Sequence, residues 1–184
     1  MSVDLLVFGP HPDDLEIGLG GAIARHTAAG MSVGLCDLTV GELASNGTPD
    51  ERLREAADAA RVLGAAWREN LHWPDGGIEE TPALIRSAVE LIRRARPKTI
   101  AIPYSGDRHP DHVAANRVLT VAAFRSGGPA RKARARSSAA ATRSSVFWGP
   151  SGPTSRRRWA RAAPWPTRSV GPWSSPWSRR WQAG

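Results

Sequence analysis

The stretch VFGPHPDDLEIG, residues 7–18, ends an apolar run at Gly9-Pro10 and then delivers one imidazole and two carboxylates before helix-compatible sequence resumes. The run it completes, DLLVF at 4–8, is short, continuous and apolar, as in a strand buried on both faces. Strands of that kind belong to parallel sheets covered by helices, and ligands bind at their carboxyl ends. A lone His-Pro-Asp is commonly a turn or a helix cap. Here a second cluster, DRHPDH at 107–112, follows a second buried run, KTIAIP at 98–103. Two such clusters at one sheet edge can meet although a hundred residues separate them.

Outward from these runs the chain alternates strand and helix. Residues 15–29 read as a helix ended by Gly30 at a C-cap position. Residues 32–39 read as a second strand. Thr48-Pro49-Asp50-Glu51 signals a helix start, with Pro and acids in the first turn, and that helix stops at Gly64. A short strand near 66–71, the turn WPDGG at 73–77 and a helix over 82–95 follow; this helix aligns Leu84, Ile85, Val89 and Ile92 on one face. After the 98–103 strand, residues 110–124 read as a last helix. The fold class is therefore α/β: a Rossmann-like parallel sheet with flanking helices and right-handed crossovers, over residues 1 to about 124.

The overall balance of 25 basic against 17 acidic side chains suggests a nucleic-acid or membrane partner until the charge is mapped. All 17 acids lie at or before Asp111, while residues 125–184 hold twelve Arg, one Lys and six of the eight Trp. The first part is thus mildly acidic, and the excess positive charge belongs to the tail. That tail has no Ile, Leu or Met and no apolar period, so nothing in it builds a layered core. Residues 125–184 are expected to be a low-order Arg/Trp/Pro/Ser-rich tail. Its Ala, Arg, Gly, Pro, Ser and Trp all have GC-rich codons, which favours a reading-frame slip over an arm that holds phosphates on Arg and stacks bases on Trp.

Single Cys36, within an apolar run, is read as a small buried hydrophobe. No stretch approaches the ~18 consecutive apolar residues of a membrane span, and no basic leader precedes a long apolar segment. The expected location is cytoplasmic, with no membrane partner.

The chemistry follows from the clusters. His11, Asp14 and His112 make a two-His, one-Asp set that leaves a Zn²⁺ position open for water. Zinc lowers the pKa of such a water toward about 7, and Asp13 is the spare carboxylate to take its proton. The following helix is expected to favour the charged forms of Asp13 and Asp14. Pro110 suits a first helical turn, so His109 stands just outside the helix and His112 within it. His109 can then face substrate, with Asp111 holding its ring. Asp37 could mimic a ribose-binding acid, but GLGG at 18–21 does not complete G-x-G-x-x-G, so a dinucleotide site is not expected. His26 and His72 read as surface or packing residues, and Asp75 as a turn former in Pro-Asp-Gly.

PHPDDLEIGLGG (10–21), GELASNGTPDERLREA (41–56), ENLHWPDGGI (69–78) and PYSGDRHPDHVAA (103–115) together resemble the LmbE-like, or PIG-L, family of metal-dependent N-acetylglucosaminyl deacetylases. GTPDER and DRHPDH look most like the deacetylase of bacillithiol biosynthesis, which acts on N-acetylglucosaminyl-malate. The resemblance implies a metal-dependent amide hydrolase with one Zn²⁺ per chain on His11, Asp14 and His112. It implies Asp13 as general base, His109 as the oxyanion-stabilising group supported by Asp111, and Arg52 near substrate. Arg108 would pair with a carboxylate such as malate, and Glu42 would stand behind the ligands or organise a loop. The implied partner is a small-molecule sugar conjugate, with no nucleic acid, and a homo-oligomer, a hexamer in the family. The similarity stops near Ala123-Phe124, where the family continues with an ordered C-terminal portion. Two other readings remain open: an inactive truncated domain, and a binding protein that uses its basic tail on nucleic acid.

Overall fold

The computed structural model describes residues 2–127 and 131–134. Four βα units lead into a fifth strand: β1 Leu5–Gly9, α1 Asp14–Ala28, β2 Val33–Asp37, α2 Pro49–Val62, β3 Trp67–Asn70, α3 Pro82–Ala95, β4 Thr99–Ile102, α4 Pro110–Arg125 and β5 Arg131–Arg134. All pairings are parallel, in the order β3-β2-β1-β4-β5. The expected α/β sheet is the observed one, with element ends shifted by a residue or two.

Period-two burial explains why the apolar runs are continuous. Leu6, Phe8, Cys36, Ile100 and Ile102 point into one core with Ile85, Leu91 and Ile92 of α3 and Val118 and Leu119 of α4. Leu5, Val7, Val33, Leu35 and Ala101 point the other way, onto Leu15 and Ile23 of α1 and Ala60 of α2. Strands β1, β2 and β4 thus serve two cores, and polar residues on either of their faces would be buried. The chain runs outward through β1, β2 and β3, then returns to lay β4 beside β1. Right-handed crossovers in opposite directions put α1 and α2 on one face and α3 and α4 on the other.

Local signals account for the helix starts. Thr48 accepts from the Glu51 N–H while the Glu51 side chain accepts from the Thr48 N–H, a reciprocal cap ahead of Pro49. Thr81 caps α3 in the same position relative to Pro82. Gly30 and Gly64, both at positive φ, follow the ends of α1 and α2, where a left-handed residue terminates a helix. Gly34 has a different duty: a Cβ there would stand 2.4 Å from the Trp67 ring that packs across it.

β5 lies inside the segment expected to have no fold. Its backbone continues the sheet in register from Thr99↔Arg131 to Ile102↔Arg134. RKAR has no alternating apolar pattern, so periodicity could not reveal it; pairing to the open edge of β4 defines it. The rest of the basic tail, with the frameshift and nucleic-acid readings attached to it, lies outside the described residues. No helix among the described residues is long and apolar enough to cross a membrane.

Candidate metal centre and catalytic site

The strand order reverses between β1 and β4, which are neighbours with helices leaving to opposite faces. The crevice outside the carboxyl ends of such a strand pair is where open α/β sheets bind ligands. HPDD leaves β1 into α1, and DRHPDH leaves β4 into α4, so the two clusters converge there.

Their meeting point is one carboxylate oxygen. Asp14 Oδ2 lies 3.2 Å from His11 Nδ1 and 3.2 Å from His112 Nε2, and it also accepts from the His11 backbone N–H at 2.9 Å. His109 closes a ring of imidazoles, its centroid 4.9 Å from that of His11 and 5.1 Å from that of His112. One nitrogen from each of the three rings lies within 4.8 Å of the others. Donors about 2.0–2.2 Å from a tetrahedral zinc ion stand roughly 3.3 Å apart. The two separations from Asp14 Oδ2, 3.2 Å each, match that spacing; a second set of donors, on His11, Asp75 and Asp111, also lies within 4.8 Å of one another.

The electrostatics agree with a cation site. Burial pushes the Asp14 carboxyl up, but hydrogen bonds from His11 and His112 outweigh it and hold the group well below the usual carboxylate range. Burial opposes charge on His11, yet Asp14, Asp111 and Asp75 together raise its imidazole to about 9. His112 is raised in the same way by Asp14 and Asp107 against the cost of burial. Without an ion, protons take the place of positive charge among these carboxylates.

Asp13 behaves differently from its neighbour. Its backbone adopts φ 123°, a strained value for a residue with a side chain, and its carboxylate makes no cap bond to α1. Burial and the charge of Asp14 raise its pKa, with Arg52 and His11 pulling the other way. The expectation that helix N–H groups favour its charged form is corrected here: its side chain makes no cap bond, and its pKa is raised. Arg52, from α2, donates to the Pro12 carbonyl at 2.6 Å and to Asp13 Oδ2 at 3.4 Å. It therefore braces the loop that carries Asp13. Gly41 makes room for it, at φ +71° with an added Cβ only 2.7 Å from the guanidinium.

Asp111 also has a partner other than the expected one. Only its backbone N–H meets the His109 ring, at Nδ1, 3.2 Å away. Its buried carboxylate accepts from His11 Nε2 at 3.1 Å and from the Gly76 N–H at 2.8 Å. Asp75, read from sequence as a turn former, places Oδ1 3.0 Å from the same His11 nitrogen. It also accepts from the Leu43 N–H, while Glu42 accepts from the Asp75 N–H, which places Glu42 behind an acid that reaches His11. Asp107, another residue the sequence did not single out, accepts from His112 Nδ1 at 3.2 Å. Arg108 is exposed beside His109. His26 and His72 are away from the cluster: His26 donates to its own helix at the Ala22 carbonyl, and His72 holds a turn with Asn70.

A charged group outside the site anchors the first turn of α1. Arg68 of β3 donates twice to Asp37, at 2.7 and 2.8 Å, and also to the Ala56 carbonyl and to Glu16 of α1. Asp37, considered above as a ribose-binding acid, is instead buried against this guanidinium; Cys36 beside it is fully buried, as expected.

Comparison with known proteins gives these features a context. Residues 6–123 match the family described as PIG-L, GlcNAc-PI de-N-acetylase. Diacetylchitobiose deacetylase of Thermococcus kodakarensis is 33% identical over 120 residues, covering 59% of this chain and 44% of the relative. The 1D-myo-inositol 2-acetamido-2-deoxy-alpha-D-glucopyranoside deacetylase of Saccharomonospora viridis is 31% identical, covering 69% of this chain and 60% of the relative. The crystal structure of a conserved protein from Thermus thermophilus superposes with a TM-score of 0.71 at 41% identity, over 74% of this chain and 67% of that one. The chain spans about half the length of these curated relatives.

Proposed function

Because the chain belongs to the PIG-L, GlcNAc-PI de-N-acetylase family, we propose that it carries the catalytic core of a metal-dependent amide hydrolase that removes acetyl from an N-acetylglucosamine conjugate. The observation that carries this reading is the oxygen of Asp14 lying 3.2 Å from one nitrogen of His11 and one of His112, with a raised-pKa carboxylate next to it on Asp13. A divalent ion held by His11, Asp14 and His112, zinc in our reading, supplies Lewis acidity toward the acetamide carbonyl and acidifies water.

The remaining steps belong to side chains. Asp13 accepts the proton of the attacking water, and its raised pKa suits a base working nearer neutrality than a free carboxylate does. His109, exposed at the rim of the imidazole cluster, donates a hydrogen bond to the carbonyl oxygen as negative charge grows there, a contribution worth about 3–4 kcal/mol when one such donor is lost in other enzymes. The C–N bond breaks as a proton from Asp13 or His109 reaches the amine, releasing acetate and a free glucosamine amine. Asp111 and Asp75 act through His11: both accept at Nε2, which leaves Nδ1 facing Asp14.

The conjugate is read as N-acetylglucosaminyl-malate, with Arg108 as the cation for the malate carboxylates; Arg52, engaged with Pro12 and Asp13, supports the loop and contacts the sugar from there. The relatives' names carry uncharged groups in that position, a second sugar or an inositol. The test is acetate release by the zinc-loaded chain from N-acetylglucosaminyl-malate and from diacetylchitobiose. Release from the malate conjugate that falls on Arg108→Ala supports the acidic aglycone. Equal rates on both, unmoved by that substitution, reject it, and no release from either rejects the deacetylase reading for this chain.

A further inference from the structure

Each imidazole that faces Asp14 has a second nitrogen, and the groups on that outer nitrogen decide which face can hold an ion. For His11 they are Asp75 and Asp111 on Nε2. For His112 the outer partner is a residue without an assigned role. Asp107 sits in the loop between β4 and α4, with its side chain 9% exposed, and its two oxygens are divided between two imidazole residues. Oδ2 accepts from His112 Nδ1 at 3.2 Å, and Oδ1 accepts from the His109 backbone N–H at 3.1 Å.

We propose that Asp107 is a positioning residue that selects Nε2 of His112 as the ion-facing nitrogen and, through the same carboxylate, sets where His109 stands relative to it. This inference rests on the metal-site reading above. An ionised carboxylate only accepts, so the nitrogen it touches must carry the proton. Without an ion both ring nitrogens face carboxylates and both carry protons; an ion replaces the proton on Nε2, the nitrogen 3.2 Å from Asp14, while Asp107 keeps the other on Nδ1. Carboxylates on the outer nitrogen of a ligating histidine fix its tautomer, its ring orientation and its basicity. Sharing the carboxylate with the His109 N–H adds a constraint, because His112 cannot swing without disturbing the residue that begins α4. The asymmetry is informative: His11 is held for Nδ1 by Asp75 and by Asp111 of the first turn of α4, and His112 for Nε2 by Asp107 from the loop after β4.

The replacement Asp107→Asn keeps size and removes the acceptor-only character. An amide that still accepts from the His109 N–H presents its NH₂ to His112 Nδ1, which favours the tautomer protonated on Nε2. The experiment measures Zn²⁺ affinity of the full chain at pH 7.5 by competition with a chromogenic chelator, in wild type and D107N, and records ¹⁵N-histidine spectra of the zinc-loaded wild type. Expected are a weakening of about 10- to 100-fold in D107N and, in wild type, a His112 proton retained on Nδ1. Equal affinities overturn the inference, as does ligation of His112 through Nδ1, and the wild-type spectrum decides even where D107N does not fold. A wild type that takes up no Zn²⁺ overturns the metal reading itself, and this inference with it.

Discussion

Nε2 of His11 and Oδ2 of Asp111 lie 3.1 Å apart, although a hundred residues separate them in sequence. Asp111 is 2% exposed, so its charge is satisfied by this imidazole and by the Gly76 N–H rather than by water. The bond ties the loop after β1 to the first turn of α4, across the strand pair where the sheet order reverses. Removing the charge with Asp111→Asn is expected to weaken Zn²⁺ binding by about 10- to 100-fold. Asp75 reaches the same nitrogen, so D75N and D111N act on one group. Their double variant should lose less than the product of the two single effects, read by chelator competition. Strict additivity would show that the two acids do not share His11.

In the proposed reading, Asp13 serves catalysis and not metal binding. Among the described residues its carboxylate makes no bond within α1 and pairs with the Arg52 guanidinium at 3.4 Å. Asp13→Asn should leave zinc content unchanged while acetate release falls by about 10²- to 10⁴-fold, the usual range for a lost general base. Turnover near wild type with zinc in place would remove Asp13 from that role.

Gly41 and Arg52 form a lock that activity measurements can probe indirectly. At φ +71° an alanine is strained, and its methyl would stand 2.7 Å from Arg52 Nη1, so the guanidinium must leave the Pro12 carbonyl. Gly41→Ala is expected to behave as a weakened Arg52 variant, with a lower kcat/KM and Zn²⁺ affinity close to wild type. Steady-state kinetics alongside chelator competition checks it, and kinetics equal to wild type would contradict it.

Arg68 carries the largest single stability contribution we expect outside the apolar cores. Its side chain is 7% exposed and pairs with Asp37, itself 2% exposed, and with Glu16. Cutting the guanidinium away with Arg68→Met leaves a buried carboxylate without its partner, a change that costs about 3–5 kcal/mol in comparable sites. The urea midpoint should fall accordingly. A replacement of both Arg68 and Asp37 by apolar residues should recover part of the loss, since the cost lies in the unpaired charge and not in the absence of an ion pair.

The sequence could be read for the sheet because the physics there is local. Runs such as LLVF and TIAI are apolar on both faces only where helices cover both faces, and the cap signals at Thr48-Pro49 and Pro110 are confined to four residues. The same logic brought His11, Asp14 and His112 together, since both clusters follow buried strands. What could not be read were partners chosen in three dimensions. Pro-Asp-Gly at 74–76 is a turn whether or not Asp75 also reaches His11. Asp111 stands next to His109 and His112 in sequence, yet its carboxylate turns to His11. Asp107 looks like any loop acid until the His112 ring is placed beside it. Strand β5 escaped for a related reason, because an edge strand can be specified by backbone pairing while its sequence stays charged.

The carboxylates around His11 make the metal-free protein sensitive to alkali. In the folded chain without metal the imidazole is raised to about 9, against about 6.5 for a free imidazole. A group whose folded pKa lies above its unfolded one binds its proton more tightly when folded. It therefore contributes stability that is fully present below pH ~6.5 and is lost as pH rises through about 9. The shift corresponds to a contribution on the order of 3 kcal/mol, because each unit is worth about 1.4 kcal/mol. Urea midpoints of the metal-free chain should fall between pH 6 and 9.5, and His11→Gln should flatten that decline. Zinc competes with the same proton, so its apparent affinity should climb over the same interval, and the loaded protein should lose much less stability across it. A metal-free midpoint that holds constant from pH 6 to 9.5 would show that His11 is not held as an imidazolium by Asp14, Asp75 and Asp111.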